Sequence, residues 1–366
     1  MRKLVLSAML FTILQNAKAQ MDLPPSGGNP RATITEEVGI TSISIKYSRP
    51  DVNKREGKIW GDGNVVTYGF STNSLITNKN TQPWRAGANE NTIITFEHDV
   101  KVEGKNIKAG TYGLSMAVWP DSVIIIFSNQ SGSWGSFYYN EKNDALRVTV
   151  KPVILDKSVE YLKYEFIEHK EKYCVIAMQW EKLSIPFKVD VDVDNIVIAK
   201  LREDVTGQKG FNALNMQAAA NYCLGKNINL PEALEWAQRA ASLKTFATLN
   251  TLGTAYTKNN KLPQADSAMN EALVFANPNQ YMGYGRSLLT TKRTDRALEI
   301  FNANQKKNGD VYAVNAGFMS YYSAKADFTK ALEYANKALV QSPNEGTKGI
   351  INGFIVKLKD GKDINQ

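Results

Sequence analysis

Four stretches in the second half of the chain repeat one another in register: 231–237, 263–269, 294–301 and 328–335. Their aligned alanines, Ala233, Ala265, Ala297 and Ala331, are spaced 32, 32 and 34 residues apart. Twelve residues before two of them stand Gly253 and Gly285, and seven after three of them stand Ala240, Ala272 and Ala338. On a helix, residues three to four apart share one face, so small residues at these offsets mark where two antiparallel helices cross closely. A single pair cannot bury its apolar face, and stacked pairs can. The pattern therefore demands a row of helix pairs and excludes a sheet from this half.

This register resembles the tetratricopeptide repeat over residues 211–342. The first repeat departs most, with Asn221 where a small residue is expected. Pro278 and Pro343 fall in turns between repeats, and 346–358 reads as a final capping helix within a closing segment 343–366. The resemblance implies an all-α helical solenoid whose groove grips a protein or peptide segment.

Before about residue 192 the period is two. Alternating or β-rich runs occur at 43–47, 92–96, 100–103, 112–118, 123–127, 146–150, 159–166, 173–180 and 185–191. Turn residues separate them and no helical run intervenes, which predicts an all-β sandwich or barrel over 31–192. Residues 57–84 read as one long loop rich in Gly, Asn, Thr and Ser. A loop of that length is often functional. Residues 193–210 read as a connector whose helix Asp194 N-caps and Gly207 ends.

Three clusters mark the β half. The first is Tyr47-Ser48-Arg49-Pro50 followed by 57–61, ending in Trp60-Gly61. The second is Trp84-Arg85-Ala86-Gly87-Ala88-Asn89-Glu90, followed by Thr92, Ile94 and Phe96. The third runs from Ala109-Gly110-Thr111-Tyr112 through Ser133-Trp134-Gly135 and Tyr138 to Leu146-Arg147-Val148. Together they resemble an exported bacterial family known as a domain of unknown function, often followed by tetratricopeptide repeats. The stretch 69–83 is longer than that family's usual passage between its Trp-Gly and Trp-Arg segments. The resemblance implies a fold and an exported location, and no activity.

On chemistry alone, Trp60, Trp84, Trp134 and Tyr138 offer aromatic faces beside glycine-rich loops, suited to sugars or cations. Arg49 and Arg85 suit a carboxylate or phosphate, and Asn89 and Glu90 complete a polar pocket. A competing reading makes the tryptophans core plugs and the arginines ties to a carboxylate such as Glu90.

Catalytic signals are weak. His98 and His169 sit in charged stretches that read as solvated turns. No zinc-protease, phosphate-loop or nucleophile-elbow motif is present. Asp62 and Glu90 could form a carboxylate pair for glycoside hydrolysis, but nothing sets their separation. Asp190, Asp192 and Asp194 imitate the start of a calcium loop, yet Asn195 and Leu201 stand where Gly and Glu are required. No metal or cofactor is implied. Cys174 and Cys223 read as two buried thiols, with a bridge as the alternative.

Arg2 and Lys3, an apolar run over 4–14 and Ala17-Lys18-Ala19 match a signal peptide, 1–19, cut before Gln20 and followed by a loose segment 20–30. The apolar run is too short to span a membrane. Of 44 Lys+Arg against 36 Asp+Glu, residues 206–366 hold 19 against 12, so the basic excess belongs to the repeats. Export removes nucleic acid as a partner and favours acidic protein segments or anionic polymers. The expected function is an exported, non-catalytic binding or scaffold protein. Its β domain would hold a small or envelope-derived ligand, and its repeats a protein partner. An envelope carbohydrate-active hydrolase and a purely structural β module are the alternatives.

Overall fold

The computed structural model describes residues 28–72 and 81–365. The expected signal peptide and most of 20–30 lie outside the described residues. The chain divides into two compact units, with the boundary between Ala199 and Lys200.

The first unit is built from antiparallel strands. One sheet has the order β1 (Arg31–Val38), β2 (Thr41–Ser48), β5 (Thr92–Phe96), β8 (Gly110–Val118), β9 (Val123–Ser128), β10 (Asp144–Val150). A second has the order β11 (Val153–Lys170), β12 (Tyr173–Val191), β6 (Val100–Val102), β7 (Lys105–Ile107). A small ladder joins β3 (Ser71–Thr72) and β4 (Thr81–Gln82). Both large sheets feed one apolar core, so of the two all-β forms expected this is the sandwich. Alternation explains which face turns inward: Ile43, Ile45 and Tyr47 of β2 are buried, as are Ile94 and Phe96 of β5. Cross-strand register sets Ile45 opposite Ile94 and Leu114 opposite Phe127.

The runs 173–180 and 185–191 prove to be one strand, β12. Even-numbered residues Cys174, Ile176, Met178 and Trp180 point into the core, and then odd-numbered Ile185, Phe187, Val189 and Val191 do. The change of parity falls at Glu181, which has φ 51° and sits at a register shift opposite Val159. A bulge inserts one residue and flips the inward set, so the pattern reads as two strands.

The described parts of the expected loop, 57–72 and 81–84, are stitched down. Trp60 bridges Val66, while Gly69 and Trp84 pair with Val118 and Met116 of β8, past Leu114 where β5 begins its pairing. Ile59 and Val66 are buried beneath it. The backbone of β8 thereby finds partners along its length.

Helix α1 (Val193–Thr206) carries the chain onward. It begins one residue before Asp194, which falls in its first turn and accepts from Lys172 Nζ at 2.5 Å.

The second unit consists of helix pairs. These are α2 (Ala213–Lys226) with α3 (Leu230–Ala240), α4 (Phe246–Lys258) with α5 (Leu262–Val274), α6 (Pro278–Thr290) with α7 (Thr294–Asn308), and α8 (Tyr312–Ala324) with α9 (Phe328–Val340). Helix α10 (Glu345–Lys359) closes the row. The four aligned alanines are all buried. A Cβ on Gly253 would come within 2.8 Å of Met269, and one on Gly285 would land in the Phe301 ring. These are the close crossings that the spacing requires. Pro278 is not in a turn but opens α6, where its missing N–H is harmless. Asn221 is exposed, and its Oδ1 accepts from Thr251 Oγ1 at 3.1 Å.

Both cysteines are buried, and neither is in a disulfide among the described residues. Burial, and then the charges of Glu36 and Asp190, push the Cys174 thiol up to about 12. Among the described residues no helix is long and apolar enough to cross a membrane.

Candidate functional site

The first two sequence clusters meet in space. The 85–90 loop follows Trp84 and is held at its centre by the Ala86 carbonyl. That oxygen accepts from Tyr164 Oη at 2.9 Å and from Thr92 Oγ1 at 3.1 Å. The Ala88 N–H donates to the Ser48 carbonyl at 3.2 Å. Ala86 and Asn89 both have positive φ, so the loop is tightly wound.

This winding delivers Glu90 beside β2 and β1. Its Oε2 accepts from Ser48 Oγ at 3.0 Å, and its Oε1 pairs with the Arg31 guanidinium. Burial alone would raise the Glu90 carboxyl. Hydrogen bonds from Arg31, its own backbone and Ser48, with the charge of Arg31, outweigh burial and hold it below the usual carboxylate range. A carboxylate so held suits anchoring better than proton donation, which needs a raised value.

A cleft of about 430 Å³ opens over this ion pair. Lys46, Ser48, Asn91, Ser133 and Trp134 line it together with Arg31 and Glu90. Trp134 is 50% exposed, an indole face over a polar floor. Asn91 Nδ2 donates to the Gln130 carbonyl at 3.0 Å and so braces the segment leading to Trp134. The arrangement has aromatic, cationic, anionic and hydroxyl groups converging on one concavity, which fits a small polar ligand with one flat apolar face.

The structure divides the eight sequence candidates. Glu90 and Trp134 line the cleft. Asn89 and Arg85 stand behind it: the Asn89 carbonyl accepts from Arg85 Nη1 at 2.6 Å, and the Arg85 guanidinium lies 4.7 Å from the Phe137 ring centre. Burial pushes the Arg85 guanidinium down from its ordinary value. Trp60 and Trp84 pack instead in the core against Trp180, with ring centres 5.7 and 6.0 Å from it. Arg49 donates from Nε to the Leu162 carbonyl at 2.9 Å and ties β11 down. Tyr138 is 64% exposed and does not line the cleft. The expected tie to Glu90 comes from Arg31, not from Arg49 or Arg85.

Arg31, Lys46, Asn91 and Ser133 were not legible as site residues. They sit at outward positions of strands or in a loop, where polar residues are ordinary. Lys46 and Asn91 stand next to a cluster and Ser133 stands within one, whereas Arg31 carries no such signal.

A second cleft of about 560 Å³ is lined by Asp99, Lys101, Lys108, Asp190 and neighbours. Asp99 pairs with Lys108 at 2.7 Å, Asp190 pairs with Lys188 at 2.5 Å, and Asp192 Oδ2 accepts from Asn195 Nδ2 at 2.8 Å. His169 pairs with Glu36 at 2.7 Å, and His98 Nδ1 lies 3.2 Å from Thr41 Oγ1. Among the described residues no group of His, Cys, Asp and Glu is placed to hold a metal ion.

Residues 29–189 match the model of a family described as a protein of unknown function, DUF2911. No curated protein matches the chain. One similar solved structure is the crystal structure of the APC/C hetero-tetramer Cut9-Hcn1. It is 15% identical, with 45% of this chain and 34% of that chain covered and a TM-score of 0.31. The chain therefore spans about a third of that structure's length, and the repeat assignment rests on the helix pairs themselves.

Proposed function

We propose that this chain is an exported, non-catalytic binding and scaffold protein. Its helix pairs hold a protein segment, and the cleft over Arg31 and Glu90 holds a small or envelope-derived ligand. The observation that carries the reading is the repeated close crossing at Gly253 and Gly285, which stacks like pairs into a row. Such a row presents a long surface suited to an extended partner. With 19 Lys+Arg against 12 Asp+Glu over 206–366, an acidic partner is favoured.

Crosslinking of the full chain in envelope extract, followed by identification of captured proteins, tests the scaffold role. A specific partner whose capture weakens as salt rises is the expected result. Recovery of nothing above background overturns it. For the cleft, quenching of tryptophan emission by acidic and neutral oligosaccharides in the wild type, and its loss in Trp134→Ala, is expected. Unchanged quenching in Trp134→Ala removes the cleft from the reading.

A further inference from the structure

After α10 the chain turns back on the array. Gly361, at φ 69°, makes the turn, and residues 363–365 lie on α8. The Ser323 hydroxyl donates to Asp363 Oδ1 at 2.7 Å and accepts from the Ile364 N–H at 3.0 Å. Asn365 Nδ2 donates to the Ser320 carbonyl at 2.9 Å. Ile364 is 4% exposed and joins an apolar cluster with Ala316, Met319, Ile351 and Leu358.

Three features mark this as a seat rather than ordinary packing. First, α8 presents small residues here, Ala316, Ser320 and Ser323, which leave room for a chain to lie across it. Second, α8 reads three polar groups of the visiting segment, one carboxylate, one backbone N–H and one carboxamide, around one buried aliphatic side chain. Third, the fit is incomplete. Ser320 is fully buried and its Oγ has no hydrogen-bond partner among the described residues. A cleft of about 590 Å³ also stays open beside the segment, lined by Ser323, Phe328, Lys357 and Lys362. A buried hydroxyl without a partner is costly, and a better-matched occupant would recover it.

We infer that the Ser320–Ser323 turn of α8 is a docking seat for a short turn-forming peptide with the order carboxylate, branched aliphatic, carboxamide, the turn closed by Asn365 donating to Asp363 Oδ1. Residues 363–365 are its built-in occupant, and a partner segment of the same chemistry must displace them. The lysines beside the seat favour acidic flanks on that partner. The inference rests on the scaffold reading and names the partner's chemistry. The built-in occupant is tethered a few residues from α10, so its high effective concentration sets a threshold that a weak partner does not pass.

The test is fluorescence anisotropy with a labelled synthetic peptide of residues 359–366. It is titrated with the full chain and with full-length Ile364→Asp, which releases the segment. The released variant is expected to bind the peptide about tenfold more tightly than the wild type, as removal of a tethered competitor requires. A peptide carrying Asp in place of its Ile should not bind, and adding Ser323→Ala to the released variant should abolish binding. Equal binding by wild type and released variant, or none by a released variant with intact helical circular dichroism, overturns the inference. If Ile364→Asp loses helix content, Ile364→Ala is scored by the same criteria. A dimer that grows with concentration and disappears in Ile364→Asp also overturns it, because the occupant would then be exchanged between copies. A partner captured by crosslinking with no peptide binding leaves the scaffold reading standing and this inference fallen. Peptide binding with no captured partner has the opposite meaning.

Discussion

The two units use chain length in opposite ways. In the β unit, Trp180 meets Trp60 from 120 residues away and Trp84 from 96, and Tyr47 meets Tyr164 at 4.8 Å between ring centres. In the helical unit the decisive contacts join residues 16 apart, Gly253 to Met269 and Gly285 to Phe301. One unit is closed by a few long-range plugs, the other by short interlocks repeated along the row. A lost plug should therefore be felt throughout its unit, and a lost interlock mainly near itself.

The largest expected effect breaks the plug. Trp180 is 1% exposed and touches both other tryptophans of the cluster, so Trp180→Ala should cost about 3–5 kcal/mol. Near-ultraviolet circular dichroism should lose its aromatic signal at lower denaturant, while the helical transition at 222 nm stays in place. A joint shift of both transitions would deny the contrast.

Next in size is a matched pair on α6. Gly285→Ala forces a methyl against Phe301 and should destabilise by about 1–3 kcal/mol. Gly283→Ala, two residues away in open space, should stabilise by up to about 1 kcal/mol through helix propensity alone. Urea midpoints at 222 nm give both signs. The same sign for both would mean that the crossing is not tight.

A smaller effect concerns Glu90. Its folded-state value is lowered, so the stability it adds is present above the ordinary carboxylate range and is lost as pH falls through the lowered value. With a partly exposed ion pair, Glu90→Gln should cost no more than about 1 kcal/mol at neutral pH. Urea midpoints of variant and wild type should converge in acid. A gap that widens in acid would mean the sign is wrong.

The smallest expected effect is Trp134→Ala, with stability changed by less than about 0.5 kcal/mol because the indole is half in solvent. A loss like that at Trp180 would move Trp134 from the cleft to the core.

The same contrast governs what could be read beforehand. Spacing of alanines and glycines reports the helical crossings, because partner helices lie one turn-length away in sequence. The strands from Ile43 to Val150 follow from alternation for a similar reason. The site does not follow, since Arg31 meets Glu90 across a sequence separation of 59 residues, after the chain between them has folded. Trp60, Trp84 and Trp134 look alike in sequence, each beside a glycine or a polar turn. Only the long-range position of Trp180 separates the first two from the third. At Glu181 the alternation itself misleads, because one inserted residue reverses parity without ending the strand.

Phe301 carries a consequence for how this array can change over generations. Its ring fills the space left by Gly285 in its own pair, and it also meets Gly317 of the next pair, where a Cβ would approach within 2.6 Å. One side chain is thus keyed to two pairs at once. Whole repeats can be duplicated or deleted where junctions rely on interchangeable parts. A cut between α7 and α8 would instead strand a phenylalanine without its second glycine, and a glycine without its filler. Removing either of the last two pairs alone should therefore cost more stability than removing both together, and the junctions toward α2 should tolerate a change in repeat number better.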